Sequence, residues 1–190
     1  MTKTHYFLAI PLPTEVKHAF KQWREQNNDH FPFKSWVHHE DYHITLVFLG
    51  DTPETKLNTV VKELHEVVKK HGPFKLTLNG LGYFGKKESP RIFWGGITQQ
   101  ETLEHLQRDV CEACEKIGYQ LEKRPYRPHI TLARRYKEGE GFPFGELDQY
   151  LQIDPLTSTF AVQSVVLYQT HLDRSPKYEA IETFQLGARR

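Results

Sequence analysis

His43-Ile44-Thr45-Leu46 recurs letter for letter as His129-Ile130-Thr131-Leu132, 86 residues further along the chain. In an extended strand alternate side chains share a face. Each copy therefore sets a histidine and a threonine on one face and two aliphatic residues on the other. Ile44 and Leu46, like Ile130 and Leu132, can anchor their strands on a core. The polar pairs then face solvent or a cleft. One His-x-Thr is a weak signal in a chain with 11 histidines. An identical tetrapeptide in two matched settings points to an internal repeat.

The flanking sequence supports two similar rounds of strand and helix. Residues 5–10 read as a strand stopped by Pro11, and Thr14 is placed to cap a helix to about Asn28 through Val16, Phe20 and Trp23. Trp36-Val37 opens an extended piece, and residues 42–49 form a strand closed by Gly50-Asp51. Thr52-Pro53 starts a helix carried by Leu57, Val60, Val61, Leu64 and Val68 and stopped by His71-Gly72-Pro73. Phe74, Leu76 and Leu78 alternate with polar residues, as in a half-buried strand. The second round places strands at 91–97, 128–133, 160–168 and 178–186, a helix at 100–117 and an irregular or short helical stretch at 142–150.

The expected fold class is α+β: two lobes of antiparallel sheet related by an approximate two-fold, lining a central cleft with helices outside. Residues 1–190 form one domain, with lobes at about 1–82 and 90–160 and strands at 160–186 completing the sheets. Residues 83–90 are the expected crossing between lobes.

A formal net charge of +1 argues against a protein whose main task is coating nucleic acid. The charge is uneven, however. Residues 116–137 hold seven Lys or Arg and one acid, Glu122, so this stretch can meet an anion or simply form a solvated face. Cys111 and Cys114 have the C-x-x-C spacing, but a zinc site of that kind needs a second ligand pair. They fall within the helical pattern Leu103, Leu106, Val110, Ala113, Ile117 and read as small helix residues. Without a disulfide framework, a signal segment or a membrane-length apolar run, the expected compartment is the cytoplasm.

Two imidazoles and two hydroxyls around one cleft suit cleavage of a phosphodiester. One neutral ring removes a proton from attacking water, and the other, charged, protonates the leaving oxygen. Thr45 and Thr131 can donate to the non-bridging phosphate oxygens, so neither a metal nor another cofactor is called for. A competing metal reading draws on His38, His39 and His43 with Glu40 and Asp41. His171, near Arg174, could also face substrate.

These residues resemble the 2H phosphoesterase superfamily and, within it, the bacterial RNA 2′,3′-cyclic phosphodiesterases once called 2′-5′ RNA ligases, the LigT-like group. The resemblance runs through Phe7-Leu8-Ala9-Ile10, Leu12-Pro13, Trp36-Val37, the first motif with Phe48-Leu49-Gly50, and Pro90-Arg91-Ile92-Phe93-Trp94. It continues through Arg127-Pro128 before the second motif, Ala133-Arg134 after it, and Val165-Val166-Leu167-Tyr168 with Tyr178. It implies that RNA 2′,3′-cyclic phosphate ends, including tRNA halves, are opened to 2′-phosphomonoesters. It implies His43 as proton donor and His129 as proton acceptor, with Thr45 and Thr131 holding the phosphate. Arg134 would contact phosphate, and Phe48 would stack on the terminal base. The reverse reaction would join ends through a 2′-5′ bond. No membrane or obligate protein partner is implied.

Arg134 and Phe48 each lie five residues after a motif histidine. An odd offset puts them on the wrong face of an ideal strand, so each must lie past a bulge or a strand end to reach the cleft. The stretch Glu40-Asp41-Tyr42 departs from the family pattern, where an asparagine is expected. Competing functions are a 2H esterase for a small cyclic nucleotide or other cyclic phosphate, and a non-catalytic RNA-end binder.

Overall fold

The fold was obtained as a computed structural model and is described for residues 4–137, 142–143, 145, 147 and 158–188. Most of the stretch 142–150 lies outside the described residues. The elements, in order, are β1 (His5–Pro11), α1 (Thr14–Asn27), β2 (Phe33–Trp36), β3 (His43–Asp51), α2 (Glu54–Val68) and β4 (Phe74–Lys86). Then come β5 (Ser89–Ile97), α3 (Glu101–Lys116), β6 (His129–Tyr136), β7 (Thr159–Val162), β8 (Ser164–Thr170) and β9 (Tyr178–Gln185).

The strands form one antiparallel array in the order β7-β4-β5-β6-β3-β1-β8-β9, with β2 added on β6. β3 and β6 meet at its centre through a single residue pair, Ile44 opposite Ile130. Five strands, β2 included, lie on the β6 side of that seam and four on the β3 side. The two matching isoleucines of the repeated motifs thus mark the pseudo-two-fold axis. Both are fully buried.

The two sides are interlaced. β4 crosses to pair with β5 and β7, while β8 returns to pair with β1 and β9. Helices cross over as well. On α1, Phe20 packs so closely under β5 that a Cβ on Gly95 would lie 2.6 Å from its ring. On α3, Gln107 reaches β3 of the other side. The expected crossing at 83–90 is therefore no linker: Tyr83–Lys86 continue β4, and Ser89 already begins β5. A hairpin satisfies backbone groups that a loop would leave to water.

Apolar residues of the helices recur at helical spacing and bury against the sheet. On α1 these are Val16, Ala19, Phe20 and Trp23; on α2, Leu57, Val60, Leu64 and Val68; on α3, Leu103, Leu106, Val110, Ala113 and Cys114. Neither Thr14 nor Thr52 caps a helix with its side chain. Pro13 and Pro53 occupy the N-cap positions, and the Thr52 hydroxyl is directed back to the Leu49 and Gly50 carbonyls. The expected strand over 160–168 is broken at Gln163 into β7 and β8.

Cys111 and Cys114 lie in α3 as free thiols, and burial pushes them up to about 11 and about 12. They are therefore protonated at neutral pH and poorly nucleophilic. No helix among the described residues is long and apolar enough to cross a membrane.

Candidate active site

β3 and β6 place the repeated motifs antiparallel across the seam. With Ile44 opposite Ile130, His43 and Thr131 lie across from each other, as do Thr45 and His129. All four project from the face opposite Ile44, Leu46, Ile130 and Leu132, which are buried. The histidines are diagonal neighbours, which in a regular ladder are separated by about 7–8 Å between Cα atoms. Their proximity also shows in the electrostatics, since each ring lies close enough to Arg134 to be affected by its charge.

Phe48 and Arg134 join the same face, and a matched pair of bulges is the reason. Along β1–β3 the register runs Ala9 opposite Thr45 and then Leu8 opposite Val47, leaving Leu46 extra. Along β5–β6 it runs Trp94 opposite Thr131 and then Phe93 opposite Ala133, leaving Leu132 extra. One additional residue reverses the alternation. The burial pattern records the switch. After His43 and Thr45 the next outward residue is Phe48, and after His129 and Thr131 it is Arg134. Phe48 is 67% exposed, unusual for a phenylalanine and suited to a platform.

Backbone carbonyls at the two bulged residues are each paired. The Gln107 amide donates to the Leu46 carbonyl at 3.4 Å, and the Val37 N–H donates to the Leu132 carbonyl at 2.9 Å. The Tyr126 hydroxyl donates to the Thr45 carbonyl at 3.1 Å. The motif backbones are thus held from behind by α3, by the residue after β2 and by the segment leading into β6.

Both imidazoles are oriented by the same device. Nδ1 of His43 donates to the Asp41 carbonyl at 2.7 Å, and Nδ1 of His129 donates to the Arg127 carbonyl at 2.7 Å. A carbonyl only accepts, so the neutral rings carry their proton on Nδ1 and keep Nε2 free for chemistry. Nε2 of His43 lies 2.9 Å from the Thr45 hydroxyl. Aromatic rings complete each setting. His43 lies 4.8 Å from Phe7 and 5.3 Å, edge-on, from Tyr178. His129 lies 4.9 Å, edge-on, from Phe84, with Trp94 at 6.4 Å.

Burial among these rings disfavours the charged imidazole. It is the largest cause lowering His43 to about 4; the Asp41 carbonyl and carboxylate oppose it, while His129 and Arg134 add to the depression. His129 is likewise held below its usual value, chiefly by burial and then by Arg134, against the Arg127 carbonyl. Both rings are therefore neutral at pH 7 in the free protein.

The sequence offers Asp41 as a carboxylate of a metal site and as part of a departure from the family pattern, whereas its place in the fold is structural. It is 5% exposed, and its two carboxylate oxygens accept the Lys177 and Tyr178 N–H groups at 2.8 and 3.1 Å. It ties the β8–β9 hairpin to the turn that orients His43. Phe7, Phe84, Trp94, Tyr168 and Tyr178 carry no signal of a site role in the sequence, because they reach the cleft from strands distant along the chain. His171 lies apart from this set and pairs with Glu179 at 2.7 Å. His38 and His39 stack at 4.6 Å, but among the described residues no three His, Cys, Asp or Glu side chains form a group able to hold a metal ion.

Comparison with known proteins identifies relatives and the fold. An RNA 2′,3′-cyclic phosphodiesterase of Geobacillus stearothermophilus is 45% identical over 187 residues, covering 98% of this chain and 58% of the relative, so the chain spans under two thirds of that protein. An RNA 2′,3′-cyclic phosphodiesterase of Bacillus subtilis strain 168 is 35% identical over 185 residues, covering 97% of this chain and 98% of the relative. A crystal structure from Thermus thermophilus superposes with a TM-score of 0.80 at 25% identity, covering 98% of this chain and 100% of that one. The LigT-like α+β architecture that the resemblance implied is the one found. The sequence profile of the 2′-5′ RNA ligase superfamily matches residues 12–174, and the chain belongs to that superfamily.

Proposed function

We propose that the protein hydrolyses RNA 2′,3′-cyclic phosphate ends to 2′-phosphomonoesters with His43 and His129 as an acid–base pair. One observation carries this reading: two imidazoles project from one sheet face, each with Nδ1 tied to a carbonyl and Nε2 left for proton exchange. His129 Nε2 takes a proton from water as its oxygen attacks phosphorus. His43, charged, gives its Nε2 proton to the 3′ oxygen as the P–O3′ bond breaks. The phosphate stays on the 2′ oxygen. Thr45 and Thr131 donate to the non-bridging oxygens, and Arg134 offsets the charge that grows on them. Phe48 offers its exposed ring to the terminal base.

Burial keeps both rings neutral in the free protein. A bound phosphate brings the missing anion and favours the charged form of His43. The same groups run in reverse would join a cyclic end to a 5′-hydroxyl through a 2′-5′ bond. Halves of cleaved tRNA are substrates of the required kind, and free thiols at Cys111 and Cys114 suit a reducing cytoplasm.

The decisive assay is incubation with a short RNA ending in 2′,3′-cyclic phosphate, resolving 2′- from 3′-monophosphate. The 2′ product is expected, unaffected by a chelator. A 3′ product, or activity lost to chelation and restored by a divalent metal, overturns the assignment.

A further inference from the structure

A pocket of about 300 Å³ opens beside the two histidines, between the last turn of α1, β2 and the 171–177 loop. It shares Arg134 and Tyr178 with the cleft. Arg24 and Lys177 line it as well, and Ser35 lies opposite Arg134 in the β2–β6 ladder. Arg24 is held over the Trp36 ring, its guanidinium carbon 5.2 Å from the ring centre. Lys177 is fixed at its backbone, whose N–H is bound by Asp41.

Three cations thus face one small space, and among the described residues none of them has an ion-pair partner. The one acid in the lining, Asp41, has both oxygens engaged by backbone N–H groups. Like charges are gathered against their mutual repulsion where an anion is to be received. The volume is at the small end for ligand pockets, enough for a phosphate and its sugar.

We propose that this pocket binds the phosphodiester immediately upstream of the terminal nucleotide, so that the enzyme distinguishes an RNA end from a free cyclic nucleotide. The inference rests on the function proposed above. With the cyclic phosphate between His43 and His129, the chain leaves the terminal nucleotide through its 5′ phosphate, a group that a mononucleotide with a 5′-hydroxyl lacks. Arg134 lies at the junction of the two sites. Arg24 and Lys177 meet the next phosphate, contacts that position the strand without reading its sequence.

The test compares adenosine 2′,3′-cyclic phosphate with a trinucleotide of the same cyclic end, in the wild type, Arg24→Gln, Lys177→Ala and the double variant. A charge-assisted contact to phosphate corresponds to about tenfold or more in affinity. Each single variant is expected to raise KM for the trinucleotide by about that factor, leaving kcat and the mononucleotide unchanged. Arg24→Lys is expected to recover part of the loss. The wild type's advantage on the trinucleotide should fall with salt, and the logarithmic slope should shrink by about 0.7 in the double variant for each phosphate it no longer neutralises. Equal losses on both substrates would mean that the pocket serves the terminal nucleotide or the fold. No loss on either would leave only solvated cations, and both results overturn the proposal. If the wild type turned over neither substrate, the activity reading would fail by itself. Equilibrium binding of the trinucleotide to wild type and double variant would still decide the pocket.

Discussion

At the scale of single residues, the chemistry depends on where two protons sit. His43→Ala and His129→Ala are each expected to lower turnover by at least about 10²-fold, as loss of a general acid or base does. Near-normal single-turnover rates in either variant would remove that residue from its role. Both rings titrate below their usual value in the free protein, His43 at about 4. The profile of kcat/KM, which reports free enzyme, should therefore be a bell lying on the acid side of 6.5, with one limb near 4. The optimum of kcat should lie higher, because bound phosphate stabilises imidazolium. Coincident optima would mean that the anion does not reset the pair.

Asp41 acts one step behind His43. Asparagine in its place keeps one acceptor and sets an amide N–H₂ against a backbone donor of the hairpin. Asp41→Asn is expected to cost about 1–3 kcal/mol in thermal or denaturant unfolding. It also removes an anion that favours charged His43. The acid limb of kcat/KM should then move to lower pH, a shift that a purely structural residue would not cause.

At the scale of elements, the paired bulges decide what the strands present. Leu46 and Leu132 are the extra residues, and they aim Phe48 and Arg134 into the cleft. An odd spacing in sequence demanded such a device, but only the register showed one in each motif at the same step. Close strand approach is the second requirement. Gly96 pairs with His129 in the ladder, and a Cβ there would lie 2.3 Å from the Asn79 carbonyl oxygen. That oxygen is backbone and cannot rotate away. Gly96→Ala is expected to destabilise the protein by about 1–3 kcal/mol, as overpacking does, and to displace His129. Circular dichroism melts with parallel activity measurements check both, and an unchanged melting temperature would show that β4 and β5 have slack.

At the scale of the whole molecule, the two sides of the sheet are not independent pieces of chain. β4 belongs to the first repeat in sequence but pairs with β5 and β7, and β1 is flanked by β8 from near the other end. Residues 1–88 expressed alone are expected to lack a cooperative unfolding transition, since β1 and β4 would both expose open edges. A sharp transition from that fragment would show that the repeat folds by itself.

The sequence alone determined the three helices and most strands near their observed bounds, though not the extension of β4 to Lys86 or the break at Gln163. The repeat and the polar faces of the two motifs were legible in it as well, because these follow from local periodicity and turn residues. It also required a bulge or a strand end before Phe48 and Arg134 could share a face with the histidines. Tertiary structure alone decided the interlacing at 83–90, the meeting of Ile44 with Ile130, the anchoring of the hairpin by Asp41 and the cationic pocket around Arg24 and Lys177. These are pairings between residues far apart in the chain. They depend on which strand edges find each other during folding, a choice that no local pattern records.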